Sequence, residues 1–519
     1  MTEQRVRKRR GRGGRQAVRP PAAKPAVWPG MVGGQYKPLT QREMERVHTT
    51  VLDIMENIGF AQATPSMIEI LTEAGCWMTD DGRIHYPRKL VEDIIASAPK
   101  SFVMPGQDPK HDLEVGGGRV HMGTGGAAPM AIDFKTGHYR QSVSLDIYDI
   151  GRLVDTLDNI HYFWRPVVAG DTSTTMDLDI NTVYAAMNGT TKHIGSSFVH
   201  GKNVYAAVEM MDMVLGGEGE FRKRPFCSIS CCHVVPPLRF AEESCDALEA
   251  AARSGMPITL LSAAQAGATG PAALAGTIVQ AMAECIAGLI FVYLIDNNCR
   301  ANLGTWPFVS DLRTGAMCSG SAELGLIVDG CAQMASSFYN LPGSVAAGMS
   351  DSKLPDAQSG AEKAYTVALA AQAGSSLIME SAGMQASLMG ANYESYVIDN
   401  DMLGAVQRTV RGIEVNDDTL SYGVIEEVVY GEGHYLGSAQ TIERMETDYF
   451  YPKMGDRQPP ATWEEYGRLD IRDRAKEYVK ETLRKHYPSH IDAAVDAKIR
   501  KKFNIVIPQD AMKPGNGRW

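Results

Sequence analysis

Hydrophobic and polar positions recur with two different periods along this chain. From Thr40 onward Met44, Val47, Val51, Ile54 and Ile58 follow the three-to-four spacing of an amphipathic helix, with Thr40 and Glu43 as a capping box and Gly59 as its stop. Thr64-Pro65 opens a second helix that Gly75 closes, and residues 87–98 give a third. Between 101 and 140 the pattern changes. Short β-type runs at 119–122 and 130–134 alternate with Gly116-Gly117-Gly118 and Gly123-Thr124-Gly125-Gly126. The pattern predicts a helical cap followed by a small β element.

From about residue 160 apolar β-type runs appear at 162–169, 193–199, 226–232, 257–262, 301–306, 344–349, 376–381 and 448–451, with helix-compatible stretches between most of them. The first four begin roughly 31–32 residues apart, as βα units do, and eight such units close a (β/α)8 TIM barrel. The predicted class is therefore α/β. A disordered basic arm covers 1–36, the helical cap and β-hairpin element 37–158, the barrel 159–487 and a C-terminal tail 488–519. A helical insertion at 384–445 fills the long interval before the eighth strand, and 462–487 reads as helix.

Composition narrows the class. The chain has 519 residues, 44% of them apolar, enough for a sizeable core. Nine cysteines without a repeated spacing exclude a disulfide scaffold and point to a reducing, cytoplasmic setting. The net charge of −10 averages two unlike parts: residues 1–24 hold nine basic side chains and one acid, +8, which leaves −18 for the rest. An acidic body argues against nucleic acid as the main partner. Residues 254–283 carry no charge, but Pro257, Gln265, Gly267, Gly270, Pro271 and Gln280 interrupt them, so they read as strand, loop and helix rather than a membrane span.

Several motifs dissolve on inspection. Gly123-Thr124-Gly125-Gly126-Ala127-Ala128 matches G-x-G-x-x-A, yet Pro129 and a β-run follow where a dinucleotide site needs a helix. The stretch reads as a tight turn or a loop over a pocket. Cys227, Cys231, Cys232 and His233 lack zinc-type paired spacing, so no metal site is expected. Nucleophile-elbow, Walker A and zincin patterns are absent from the sequence.

Barrel enzymes keep their chemistry at the C-terminal ends of strands. The candidates there are Arg165, His200, His233, Trp306 with Asp311 and Arg313, Ser350 with Asp351 and Lys353, and Tyr449; Gln265, Glu380, Gln385 and Tyr451 lie nearby. Arg and His suit an anionic group, Trp and Tyr a cation held on aromatic faces, and together they describe a pocket for a zwitterion. Cys231 and His233 also leave room for a lyase or hydrolase.

Read whole, residues 37–486 resemble the trimethylamine methyltransferase family, and within it the non-pyrrolysine branch that includes glycine betaine:corrinoid methyltransferases. The likeness is carried by Leu39-Thr40 with Val51 to Phe60, by the Gly123–Pro129 stretch with Asp133 and Thr136-Gly137, by Gly348 to Gln358, and by Tyr451-Pro452 with Asp456-Arg457 and Trp463 to Gly467. This resemblance implies methyl transfer from an amine to Co(I) of cobalamin carried by a separate corrinoid protein. No pyrrolysine is written in the chain, which departs from the trimethylamine-specific branch and implies a quaternary amine, glycine betaine or a related betaine. A quaternary ammonium leaves as a neutral amine, so no residue is needed as general acid or base. A homo-oligomer is expected from the Met- and Ala-rich helices.

Overall fold

Apolar runs of three to five residues, each ending at a polar or glycine-rich turn that leads toward a helix, build the centre of the protein. The computed structural model describes residues 27–519. Its principal sheet is a curled sheet in an α/β fold, with eight parallel strands: β1 Arg119–Met122, β2 Tyr162–Trp164, β3 His193–Ser196, β4 Cys227–Cys231, β5 Ile258–Ser262, β6 Ala301–Thr305, β7 Gly343–Ala346 and β8 Leu377–Met379. The spatial order is β2-β3-β4-β5-β6-β7-β8-β1. β1, the earliest in sequence, lies against β8, with His121 opposite Leu377. On its other side Gly123 bridges to Tyr162, and the His161 amide donates to the Met122 carbonyl at 2.7 Å.

The strands expected from β2 to β8 are all present, but the eighth is not where the repeat placed it. Asp448–Tyr451 forms no strand; it follows helix Ala439–Thr447, and Tyr449 is exposed. Its place is taken by 119–122, which precedes the first βα unit and so shares no period with it. The predicted insertion also shifts. Helix Tyr393–Arg411 packs against helices Ala357–Gln372 and Ile471–Lys485, as the helix following β8. The separate unit is Glu414–Phe450, whose helices Tyr422–Tyr430 and Ala439–Thr447 are joined by a Gln440–Ser421 hydrogen bond and an Arg444–Asp418 ion pair. At the N-terminus, Met31–Val32 pairs antiparallel with β1, so regular structure starts before residue 37. Most of the predicted arm, residues 1–26, lies outside the described residues.

Interior side chains alternate large and small. Tyr162 and Trp164 share one face of β2. Beside them stand Gly123 and Gly195, where a Cβ would come to 2.1 Å of the Tyr162 ring and 2.3 Å of the Trp164 ring. Helix Leu274–Ile295 is apolar on every side and buried from Thr277 to Val292. It is long and apolar enough to cross a membrane, but 83% of its most apolar window is buried in the protein. The reason is the cap: helices Gln41–Asn57, Pro65–Glu73 and Arg88–Ser97 pack on it, so the face a barrel helix normally gives to solvent is covered.

Candidate functional site

The C-terminal ends of the strands enclose a cavity of about 350 Å³. Its walls are Trp164 and Arg165 after β2, Ser197 and Phe198 after β3, Cys231 and Cys232 at β4, Trp306 and Phe308 after β6, and Glu380 after β8. The glycine-rich stretch Gly123-Thr124-Gly125-Gly126 continues β1 along this rim. Thr124 Oγ1 donates to the Trp164 carbonyl at 2.6 Å, and Ser381 Oγ donates to the Gly123 carbonyl at 2.8 Å, so the stretch is clamped between β2 and β8. Gly125 and Gly126 line the cavity. A Cβ on Gly125 would sit 3.1 Å from Cγ of Glu380.

Two ionisable side chains face this aromatic space without pairing with each other. Glu380 is 2% exposed, and its Oε2 is buried without a hydrogen-bond partner. Its backbone lies in the left-handed region at φ +63°, uncommon for a residue with a Cβ. Burial raises its carboxyl to about 8. Arg165 donates from Nη2 to Ser197 Oγ at 2.5 Å, while its Nε is buried and unpartnered. Burial lowers its guanidinium from the usual value. Neither side chain joins an ion pair among the described residues. A cavity lined by an unpaired carboxyl and a half-used guanidinium suits a ligand that carries both a cationic and an anionic group.

The structure gathers only part of the predicted set here. Arg165 and Trp306 line the cavity, Trp306 with its indole N–H donated to Ser344 Oγ at 3.2 Å. His233 does not: it is fully buried, its Nε2 donates to the Glu284 carbonyl at 2.9 Å, and its ring fills the space that Gly288 leaves open. It is a core histidine wedged beneath helix Leu274–Ile295. His200 immediately precedes helix Gly201–Leu215 and makes no side-chain cap. Asp311 and Arg313 pair with each other at 2.8 Å on an exposed turn.

The Ser350–Lys353 segment acts at one remove. Asp351 accepts hydrogen bonds from the Ser319 and Gly320 amides and from Ser387 Oγ, beside the cavity-lining Leu388. Ser350 donates to Glu362, and exposed Lys353 donates to the Asp351 carbonyl. Tyr449 belongs to the separate unit. Glu380, which the sequence placed only as a flank of its strand, and Trp164 and Phe308 complete the site. An aromatic–basic pair at a strand's end, Trp164-Arg165, was the available signal for Trp164.

Thiol chemistry finds little support. Cys231 donates its S–H to the Ser244 carbonyl at 3.0 Å, and burial pushes its thiol well up; Cys232 is raised to about 11, by burial first and then by Glu380. Among the described residues no group of three His, Cys, Asp or Glu is arranged to hold a metal ion.

The profile of trimethylamine methyltransferase (MTTB) matches residues 7–505. The chain belongs to the trimethylamine methyltransferase family. Trimethylamine methyltransferase MttB of Desulfitobacterium hafniense is 31% identical over 462 residues, 89% of this chain and 92% of its own. The MttB of Methanosarcina thermophila is 33% identical over 462 residues, 88% and 94% of the two chains. A glycine betaine methyltransferase of Desulfitobacterium hafniense is 26% identical over 471 residues, 90% and 96%. Among solved structures, the monomethylamine methyltransferase MtmB of Methanosarcina barkeri covers 87% of this chain and 96% of its own at 14% identity, with a TM-score of 0.46. As a family member this chain is a methyltransferase. In the stretch Gly348–Gln358, Asp351 ties the rim loops together.

Proposed function

We propose that this chain moves a methyl group from a quaternary amine, glycine betaine or a related betaine, to Co(I) of a corrinoid that a separate protein presents. The carrying observation is the pairing of an unspent guanidinium and an unpartnered carboxyl inside one aromatic-walled cavity. Arg165 would take the substrate carboxylate. Trp164, Trp306 and Phe308 would take the onium, each face contributing about 0.5–2 kcal/mol. In the same reading the curled sheet is a closed (β/α)8 barrel, supported by the Gly123–Tyr162 bridge, and the protein works in the cytoplasm.

The chemistry asks little of the protein. A quaternary nitrogen has no lone pair and leaves as a neutral tertiary amine, so the cavity need only hold one N-methyl toward the acceptor and keep water out. Binding the cation too tightly would oppose reaction, because the charge vanishes toward the transition state. The donor set also favours an acceptor from outside: the thiol of buried Cys231 is pushed well up and that of Cys232, which opens onto the cavity, is raised to about 11, so both are neutral and poor methyl acceptors at neutral pH. Co(I) supplies the strong nucleophile. The cysteine–histidine lyase or hydrolase reading loses support because His233 is occupied elsewhere.

A tertiary-amine reading has one observation behind it, the higher identity to the relatives named for trimethylamine. Thermal stabilisation across an amine panel separates the two. Betaines should raise the melting temperature in proportion to the logarithm of their concentration, and trimethylamine should not. Stabilisation by trimethylamine alone would assign the tertiary amine instead.

A further inference from the structure

We propose that quaternary-amine binding displaces a proton from Glu380, and that the same carboxyl takes a proton back once the methyl group has left. The inference rests on the amine-methyltransferase reading and deepens it by giving Glu380 a role as an exchangeable counter-ion.

The geometry carries the argument. Among the described residues Glu380 is the one carboxyl that lines the cavity, and its Oε2 is buried without a hydrogen-bond partner. Among the described residues no charged group compensates it from the surrounding elements. The β1 extension presents Thr124 and two glycines. From β2 come Tyr162, whose hydroxyl is buried without a partner, and Arg165, whose Nη2 is turned to Ser197. From β4 come the thiols of Cys231 and Cys232, and the rim loop after β8 brings Leu388. Tyr162 and Cys232 are themselves raised by burial first and by Glu380 second, so they stay neutral at neutral pH. Only Arg165 is charged, and a betaine's carboxylate would occupy it. Without a cation beside it Glu380 is therefore best accommodated as the neutral acid, consistent with its value near 8.

A permanent cation changes that balance, because an ionised carboxylate beside an onium is an ion pair shielded from water. On binding, the Glu380 O–H bond breaks, the proton passes to solvent, and the carboxylate remains with the ammonium. On transfer, the C–N bond breaks, the nitrogen keeps that electron pair, and the acceptor supplies the pair for the new bond to carbon. The product amine is neutral, the carboxylate is again alone, and a solvent proton restores the acid. Glu380 thus strengthens substrate binding without remaining as an uncompensated charge after the reaction.

Calorimetric titration of the full chain with glycine betaine, and with tetramethylammonium as a probe lacking a carboxylate, tests this. At pH 7, in two buffers of different ionisation enthalpy, close to one proton should be released per ligand, and below pH 7 affinity should rise about tenfold for each unit by which the pH is increased. Glu380→Gln should abolish both the proton release and this slope. Binding with buffer-independent heats, or equal proton release by Glu380→Gln, would overturn the inference and leave the amine reading standing. Failure of every quaternary amine to bind would overturn both.

Infrared titration of the ligand-free protein gives a second, independent readout. Asp329, another buried carboxyl without partners, contributes its own protonated band, so the decisive signal is the one removed by Glu380→Gln. That band should persist at neutral pH; its loss below pH 6 would overturn the inference whatever binds.

Discussion

Arg165→Met is the sharpest test of how the cavity reads its ligand. The replacement keeps the side chain's reach and apolar stem while removing the charge and the donors. In the structure Nη2 is already committed to Ser197 and Nε is buried, which leaves Nη1 as the donor open to the cavity. A substrate carboxylate would therefore gain one new charge-assisted hydrogen bond, worth about 1.5–3 kcal/mol. At about 1.4 kcal/mol per factor of ten, kcat/KM for glycine betaine should fall about 10- to 150-fold. The carboxylate lies away from the reacting N-methyl, so the loss should sit mainly in KM. Tetramethylammonium, which has no carboxylate, should lose less than about threefold. Steady-state methyl transfer to Co(I) cobalamin, followed spectrally for both substrates, measures the difference. Equal losses for the two, or no loss for betaine, would refute the placement of the carboxylate on Arg165.

Three further outcomes follow from the same residues and their surroundings. Glu380 is raised in the fold, so its share of stability is present below about pH 4.5 and declines as pH rises toward 8; Glu380→Gln should therefore melt higher than the parent at pH 8.5, with the gap closing toward pH 5 by calorimetry. Gly123→Ala would drive a Cβ to 2.1 Å of the Tyr162 ring, an overpacking cost of about 1–3 kcal/mol or more, read as a lower denaturation midpoint at unchanged slope. Asp155 accepts from His486 Nε2 and Thr190 Oγ1, each at 2.8 Å; burial raises its carboxyl, but these two bonds and the nearby His490, 3.7 Å away, outweigh that and hold it well below the usual range. Asp155→Asn should cost about 1–3 kcal/mol at pH 7, and urea melts should show the difference shrinking as pH falls below about 4.

Much of the fold was legible because it is local. The Thr40–Glu43 capping box, Pro65 at a helix start and the βα spacing from 162 to 379 each record a preference of neighbouring residues, and each element forms where the pattern put it. The errors arose where the decision is not local. A strand joining a parallel sheet from upstream has no period to announce it, so 119–122 read as a side element, while the aromatic run 448–451 imitated a strand it had no neighbour to pair with. The site divided along the same line. Arg165 and Trp306 stand at strand ends, and both line the cavity. His233 also stands at a strand end, but its fate is set by Gly288 and the Glu284 carbonyl on a helix fifty residues away. Glu380 matters because of what fails to approach it, and an unmet hydrogen bond leaves no mark in a sequence.

On the proposed function a quaternary amine loses a methyl group to Co(I) in this cavity. The most direct measurement is a stoichiometric turnover of the purified chain with Co(I) cobalamin, following the cobalt spectrum and the amine products together. Glycine betaine or a related betaine should yield one demethylated tertiary amine for each methylated cobalt. Methylation from trimethylamine, with every betaine left unchanged, would contradict it.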